Sequence, residues 1–186
     1  MFLLLAGTKK GLFIFSSTDR GTWQLRGPFL RGKEIHHAVR DPRAGRIFAT
    51  ANDAWFGSEI MYSDDLGENW TSAQRGPAFT EDSGLKLDKI WHIEPGLAAT
   101  PGTVYAGVAP AALFRSEDAG LTWEPANRGT RAEFQPEKYP DFGQCVHKLL
   151  LAPGGGVLYQ QNHCGVYRSA NAGVSWDEIR RGCRRT

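Results

Sequence analysis

The chain has 186 residues, 41% of them hydrophobic and 23% charged, with a formal net charge of +2. Those shares are ordinary for a globular protein, and so small a net charge excludes the global field that gathers nucleic acid or anionic membrane. No apolar run approaches the roughly 20 residues of a membrane span, and Phe2-Leu3-Leu4-Leu5-Ala6 is too short for a signal-peptide core and lacks a basic lead-in.

Twenty-two glycines, six tryptophans and ten phenylalanines point to many short strands with tight connections, since glycine serves turns and aromatics suit a pleated, half-buried surface. The three cysteines, Cys145, Cys164 and Cys183, form no metal-ligand pair and no disulfide framework, so a cytoplasmic protein with free thiols is the expectation.

In chain order, the first predicted strand is Leu3-Leu4-Leu5-Ala6-Gly7, followed by Leu12-Phe13-Ile14-Phe15 and then by Ser17-Thr18-Asp19-Arg20-Gly21-Thr22-Trp23. A second unit opens at Ile35-His36-His37-Ala38-Val39, continues through Ile47-Phe48-Ala49-Thr50 and Ile60-Met61-Tyr62, and reaches Ser63-Asp64-Asp65-Leu66-Gly67-Glu68-Asn69-Trp70. The third runs Ile90-Trp91-His92-Ile93, Val104-Tyr105-Ala106-Gly107 and Leu113-Phe114-Arg115 to Ser116-Glu117-Asp118-Ala119-Gly120-Leu121-Thr122-Trp123. The fourth runs Val146-His147-Lys148-Leu149-Leu150, Val157-Leu158-Tyr159-Gln160 and Val166-Tyr167-Arg168 to Ser169-Ala170-Asn171-Ala172-Gly173-Val174-Ser175-Trp176. Each unit's last strand is predicted to start at the motif tryptophan.

The tryptophans are spaced by 47, 53 and 53 residues. Four short strands in a unit of about 50 residues is the signature of a β-propeller blade. The fold class is therefore all-β, a propeller of four-stranded antiparallel blades at about 1–30, 31–75, 88–130 and 144–179, with residues 180–186 a disordered basic tail. The first unit has no room for an innermost strand, which makes fifteen strands in all. An incomplete ring, a truncated or frameshifted piece of a longer propeller, is the expectation; the rival is a short protein that closes on a second copy through its open blade edges.

The turn motif has its own chemistry. Ser and Asp side chains hydrogen-bond nearby backbone amides, glycine supplies a positive φ, and the tryptophan closes the hairpin against the sheet. Ser63, Asp65, Gly67 and Trp70 form one such set; Ser116, Asp118, Gly120 and Trp123 form the next; Ser169, Asn171, Gly173 and Trp176 form the last. This pattern resembles the Asp-box (BNR) repeat of the sialidase and sortilin superfamily. Lys10-Gly11-Leu12-Phe13, Trp91-His92-Ile93-Glu94-Pro95-Gly96, Pro110-Ala111-Ala112-Leu113-Phe114-Arg115-Ser116 and Asn162-His163-Cys164-Gly165-Val166-Tyr167-Arg168-Ser169 extend the likeness to bacterial BNR-repeat proteins labelled glycosyl hydrolase or exo-sialidase-like. The shortened first box and Asn171 in place of aspartate depart from the pattern, and each is expected to weaken its turn slightly.

The resemblance implies a structural role for the box residues, on the blade rim. It places ligands at the channel end that carries the inter-blade loops and the second-to-third-strand loops. Candidate ligand-binding residues there are His36, His37, Asp53, Trp55, His92, Glu94, Glu137, His147 and His163. His37, His92 and His147, spaced by 55 and 55, are expected at one equivalent inner-strand position. The plainer account is blade-to-blade packing; the functional one is a ligand contact. No metal and no cofactor is expected. Ordinary sialidase chemistry lacks its arginine cluster and its Arg-Ile-Pro motif here. The leading reading is a binding scaffold for a small molecule, glycan or protein, without nucleic acid or membrane, and the alternative is a glycoside hydrolase-like enzyme with its site at the same end.

Overall fold

A computed structural model describes residues 1–110, 112–130, 145–152, 155–162 and 165–179. The fifteen strands form four antiparallel sheets. The first holds β1 (Phe2–Thr8), β2 (Gly11–Ser17) and β3 (Gln24–Phe29). The second holds β4 (Ala38–Arg40), β5 (Ile47–Asp53), β6 (Gly57–Ser63) and β7 (Thr71–Ser72). The third holds β8 (Lys89–Pro95), β9 (Val104–Ala109), β10 (Ala112–Ser116) and β11 (Glu124–Pro125). The fourth holds β12 (Lys148–Leu151), β13 (Leu158–Asn162), β14 (Gly165–Ser169) and β15 (Asp177–Glu178). Each sheet is a simple meander, the first has three strands as expected, and each outer strand begins one residue after its tryptophan rather than on it. Among the described residues no helix is long and apolar enough to cross a membrane.

The core lies between the sheets, in three separate layers. Leu12 and Ile14 of the first sheet meet Ile35, Ile47, Ala49 and Ala51 of the second. Phe48 and Ile60 meet Ile90, Ile93, Val104, Val108 and Phe114. Tyr105 and Leu113 meet Val146, Leu149, Leu158, Tyr167 and Trp176. A strand covered on both faces reads as a continuous apolar run, and β5 and β9 are buried along almost their whole length. At the equivalent place in the first sheet β1 alternates, with Leu4 54% exposed, because the described residues put no sheet over that face.

The repeated turns do more than close hairpins. Ser116 Oγ donates to Asp118 Oδ1 (2.7 Å) and accepts the Gly120 amide (2.9 Å), while Asp118 accepts the Leu121 and Thr122 amides. The Ser63 and Ser169 turns repeat this scheme, and Asn171 Oδ1 takes the aspartate's place by accepting the Ser175 amide at 3.0 Å. The residue before the glycine is itself left-handed: Leu66, Ala119 and Ala172 have φ of 58°, 60° and 54°. Its carbonyl is thereby turned outward to the preceding sheet. Arg26 donates to the Leu66 carbonyl (2.7 Å), Arg46 to that of Ala119 (2.8 Å) and the Tyr105 hydroxyl to that of Ala172 (2.7 Å). The motif therefore clasps neighbouring blades as well as its own hairpin, an addition to the role read from the sequence. In the first sheet, whose turn is one residue shorter, Trp23 Nε1 donates to the matching Arg20 carbonyl instead, at 3.1 Å.

Candidate binding site at the channel end

Antiparallel meanders put the second-to-third-strand hairpins and the inter-blade connections at one end of the sheets. The inner strands β4 and β8 start there, so their first residues line that end. Asn52, the penultimate residue of β5, ties two blades together. Its Nδ2 donates to the Glu34 and Ile90 carbonyls, both at 3.2 Å, and its Oδ1 accepts the Ile90 amide at 2.8 Å. This buried amide gives both of its donors and one acceptance to backbone, which sets the spacing of the inner strands.

The side chains of these strands form two rows. The Trp91 ring stacks on His36 with centroids 4.2 Å apart and lies edge-on to His147 at 4.9 Å. His37 faces His92 at 4.2 Å. His147 therefore stands in register with His36 and Trp91, not with His37 and His92 as its spacing suggested. The buried residues Ile35, Ile90 and Val146 explain the shift: they hold the equivalent core position, and 56 residues rather than 55 separate the last two. Lys148 then takes the place next to His37 and His92. His36, His37, His92 and His147 do converge, while His163, Cys164 and Glu137 lie outside the described residues.

Charge is arranged around the rows. Glu34 Oε2 lies 3.3 Å from His36 Nε2 and 3.8 Å from Lys89 Nζ. His37 Nδ1 accepts the Ile93 amide at 3.4 Å. Burial, then the neighbouring His92, then the Lys148 cation push the His37 pKa down to about 4, so its imidazole is neutral at pH 7. Glu94 Oε2 sits 3.2 Å from His92 Nε2, off the line of a hydrogen bond. Among the described residues, His36 Nδ1, Trp91 Nε1 and His92 Nε2 are buried without hydrogen-bond partners. Cys145 Sγ contacts His147 Nε2 at 2.7 Å. Among the described residues, no group of three or more His, Cys, Asp or Glu is placed to hold a metal ion.

The hairpin between β5 and β6 projects beside the rows. Asp53 Oδ1 accepts the Trp55 amide (2.8 Å) and the Phe56 amide (3.1 Å), and Lys33 Nζ lies 3.3 Å from its Oδ2. These amides and Lys33 hold the Asp53 carboxyl below its ordinary value. The turn leaves Trp55 92% and Phe56 88% exposed. A cleft of about 670 Å³ runs beside them between Lys9, Glu34, Trp55 and Lys89. Trp55 and Asp53 were singled out from the sequence and stand here. Glu34 and Asn52 were not, and their only signal is adjacency to the inner-strand histidine and to the hairpin.

No family model matches the sequence, and no curated protein matches it. Among solved structures, YCF48 from Cyanidioschyzon merolae superposes with a TM-score of 0.54 at 13% identity, covering 95% of this chain and 51% of that one. A structure of YCF48 bound to D1 peptide has a TM-score of 0.46 at 14% identity, covering 92% of this chain and 61% of that one. The chain thus spans about half the length of the first of these. At such identity the likeness shows the fold alone: this is an all-β protein of β-propeller blades.

Proposed function

We propose that this chain is a non-catalytic binding module of the Asp-box propeller type that docks a protein partner on its channel end. The observation that carries the reading is the pair Trp55 and Phe56, 92% and 88% exposed on a hairpin tip fixed by the Asp53 carboxylate. Large aromatics presented to water at the tip of a hydrogen-bonded turn are the kind of anchor that protein interfaces bury. The cleft beside them offers a place for a partner's side chain. A glycosidase would need two carboxylates disposed about a scissile bond. Glu34 and Glu94 each lie beside an imidazole two residues away in the chain instead, His36 and His92, which does not favour a hydrolase.

The test is selection from a random peptide library against the wild-type chain and against the Trp55→Ser/Phe56→Ser variant. Enriched peptides should bind the wild type and lose most of their affinity for the variant. Their protection in hydrogen exchange should map to residues 53–58 and 86–89. Equal binding to both proteins, or protection on the turns around Asp65 and Asp118, would overturn the proposal.

A further inference from the structure

We infer that β1 pairs with β1 of a second copy of this chain, antiparallel and centred on Leu4. Each strand then fills the inner-strand place that the other copy's first sheet leaves empty. This stands apart from the docking reading above. The second, third and fourth sheets each carry an inner strand beside β5, β9 or β13, whereas no strand among the described residues pairs with that edge of β1. Phe2 and Ile47 both pair with the serine of their own turn, so Leu3 and Leu5 match Phe48 and Thr50. The Thr50 amide donates to the His37 carbonyl on its inner side at 2.9 Å. By that equivalence Leu3 and Leu5 point their amides and carbonyls away from β2, toward the empty place. At the channel end the Ile35 amide already donates to the Thr8 carbonyl at 2.9 Å, which leaves residues 2–6 as the open edge.

An unpaired edge is a template for another strand unless charge, proline, shortness or a bulge blunts it. Every other edge strand among the described residues has such a guard. Lys89, Glu94 and Pro95 lie in β8, Lys148 in β12, and Arg26 and Pro28 in β3, while β4, β7, β11 and β15 are two or three residues long. Residues 2–6, Phe-Leu-Leu-Leu-Ala, have none. Symmetry then selects a second copy as the occupant. An antiparallel pair made by one strand with itself has a two-fold axis, and such closed pairs are the commonest oligomers. With the axis on Leu4, Leu3 lies opposite Leu5 of the second copy and the two exchange amide–carbonyl bonds, an arrangement made twice across the axis. Leu4, exposed in the single chain, meets its own counterpart there. The contact is far smaller than the roughly 20–30 residues a side of a standard interface, so the dimer forms and separates with concentration.

Sedimentation velocity over a range of protein concentrations should show a reversible monomer–dimer equilibrium. Leu4→Lys sets two cations on the axis at a position outside the core, and should weaken the dimer about tenfold or more. Trp55→Ser/Phe56→Ser should leave it unchanged. In a Cys145→Ser/Cys164→Ser/Cys183→Ser background, the Leu4→Cys variant should be joined into a disulfide dimer by mild oxidation, since Cα atoms so paired lie about 4.5 Å apart. The Leu25→Cys variant, substituted on the same face but two strands away, should not. A chain that stays monomeric at every concentration overturns the inference, and so does a dimer indifferent to Leu4→Lys or lost in the Trp55→Ser/Phe56→Ser variant. Disulfide formation as ready at position 25 as at position 4 would mark packing of faces instead of pairing of edges and overturn it too. Open-ended oligomers would do the same, because a two-fold pair closes.

Discussion

Gly120 shows what a single residue contributes to holding two blades together. Its φ is +87°, and a Cβ there would lie 2.5 Å from Phe48 Cε1 of the preceding sheet. Gly67 and Gly173 meet Ile14 Cδ1 at 2.7 Å and Tyr105 Cε1 at 2.9 Å in the same way. Gly57 has a similar φ of +85° with nothing within 4 Å. The two sites therefore separate backbone strain from crowding. Gly57→Ala should cost about 1 kcal/mol, the strain of a left-handed residue with a side chain. Gly120→Ala should cost about 3 kcal/mol, because an aromatic packed on both sides has little freedom to yield. Urea unfolding measures both, and Phe48→Leu should recover part of the loss in the Gly120→Ala background but none in the Gly57→Ala background. Equal losses at the two glycines would refute the contact. The sequence reading assigned these glycines to turns and was right about their φ. The second reason for glycine, close approach of the neighbouring blade, depends on a residue between 53 and 72 positions away and leaves no local trace.

At the scale of the element, the turns and the inner strands respond to acid in different ranges. The amide and side chain of Asn69, then Ser63, hold the Asp65 carboxyl down to about 2. For Asp118 burial acts the other way but is outweighed by the hydroxyl and amide of Thr122, the Ser116 hydroxyl and the Leu121 amide, again to about 2. Depressed carboxylates stabilise the fold above their ordinary value of 3.8, and that stability is lost as pH falls from there toward 2. His37, lowered from 6.5 to about 4, is protonated first in the unfolded chain, so its contribution is complete above 6.5 and is lost as pH falls toward 4. Melting temperature against pH should therefore fall in two stages. His37→Gln should flatten the upper stage and Asp118→Asn the lower one. The Asn171 turn, built without charge, should contribute to neither. A single transition below pH 4, unchanged by His37→Gln, would show that the imidazole is solvated. The four turns and fifteen strands were legible because each repeat restates its pattern. The placing of His147 was not, because one added residue between Ile90 and Val146 moves it from one row to the other without altering the look of the strand. The clasp donors were equally hidden: Arg26 lies in β3, Arg46 just before β5 and Tyr105 in β9, so they share no repeat position.

Taken as a whole molecule, the chain is a linear stack in which each sheet buries its faces against its sequence neighbours. No single core spans all four, so stability is expected to vary from blade to blade, as it does in repeat proteins whose energy is a sum of units and interfaces. The third sheet is packed on both sides, by Phe48 and Ile60 from one neighbour and by Val146, Leu149 and Tyr167 from the other, and its strand β9 is buried throughout. The first sheet has one packed face, three strands, and Leu4, Leu25 and Trp23 at 54%, 55% and 40% exposure. Its Arg20 guanidinium covers Phe2 at 4.1 Å, a partial shield for that open side. Native-state hydrogen exchange should accordingly show the highest protection for Val104, Ala106 and Val108 and the lowest for β1 and β3, with separate opening events for each. Asn52→Ala, which removes the bridge between Glu34 and Ile90, should increase that separation by weakening the coupling between the second and third sheets, at a cost of about 1–3 kcal/mol from the orphaned backbone groups. Exchange at one uniform free energy across all four sheets, unaffected by Asn52→Ala, would mean that the blades unfold as one unit. The proposed docking hairpin at Trp55 belongs to the second sheet, between the weak and the strong parts of the stack. A partner bound there would be held by a blade whose inner strand is fixed by Asn52 on one side and whose other neighbour, carrying Lys9 and Lys10, is freer to move toward it.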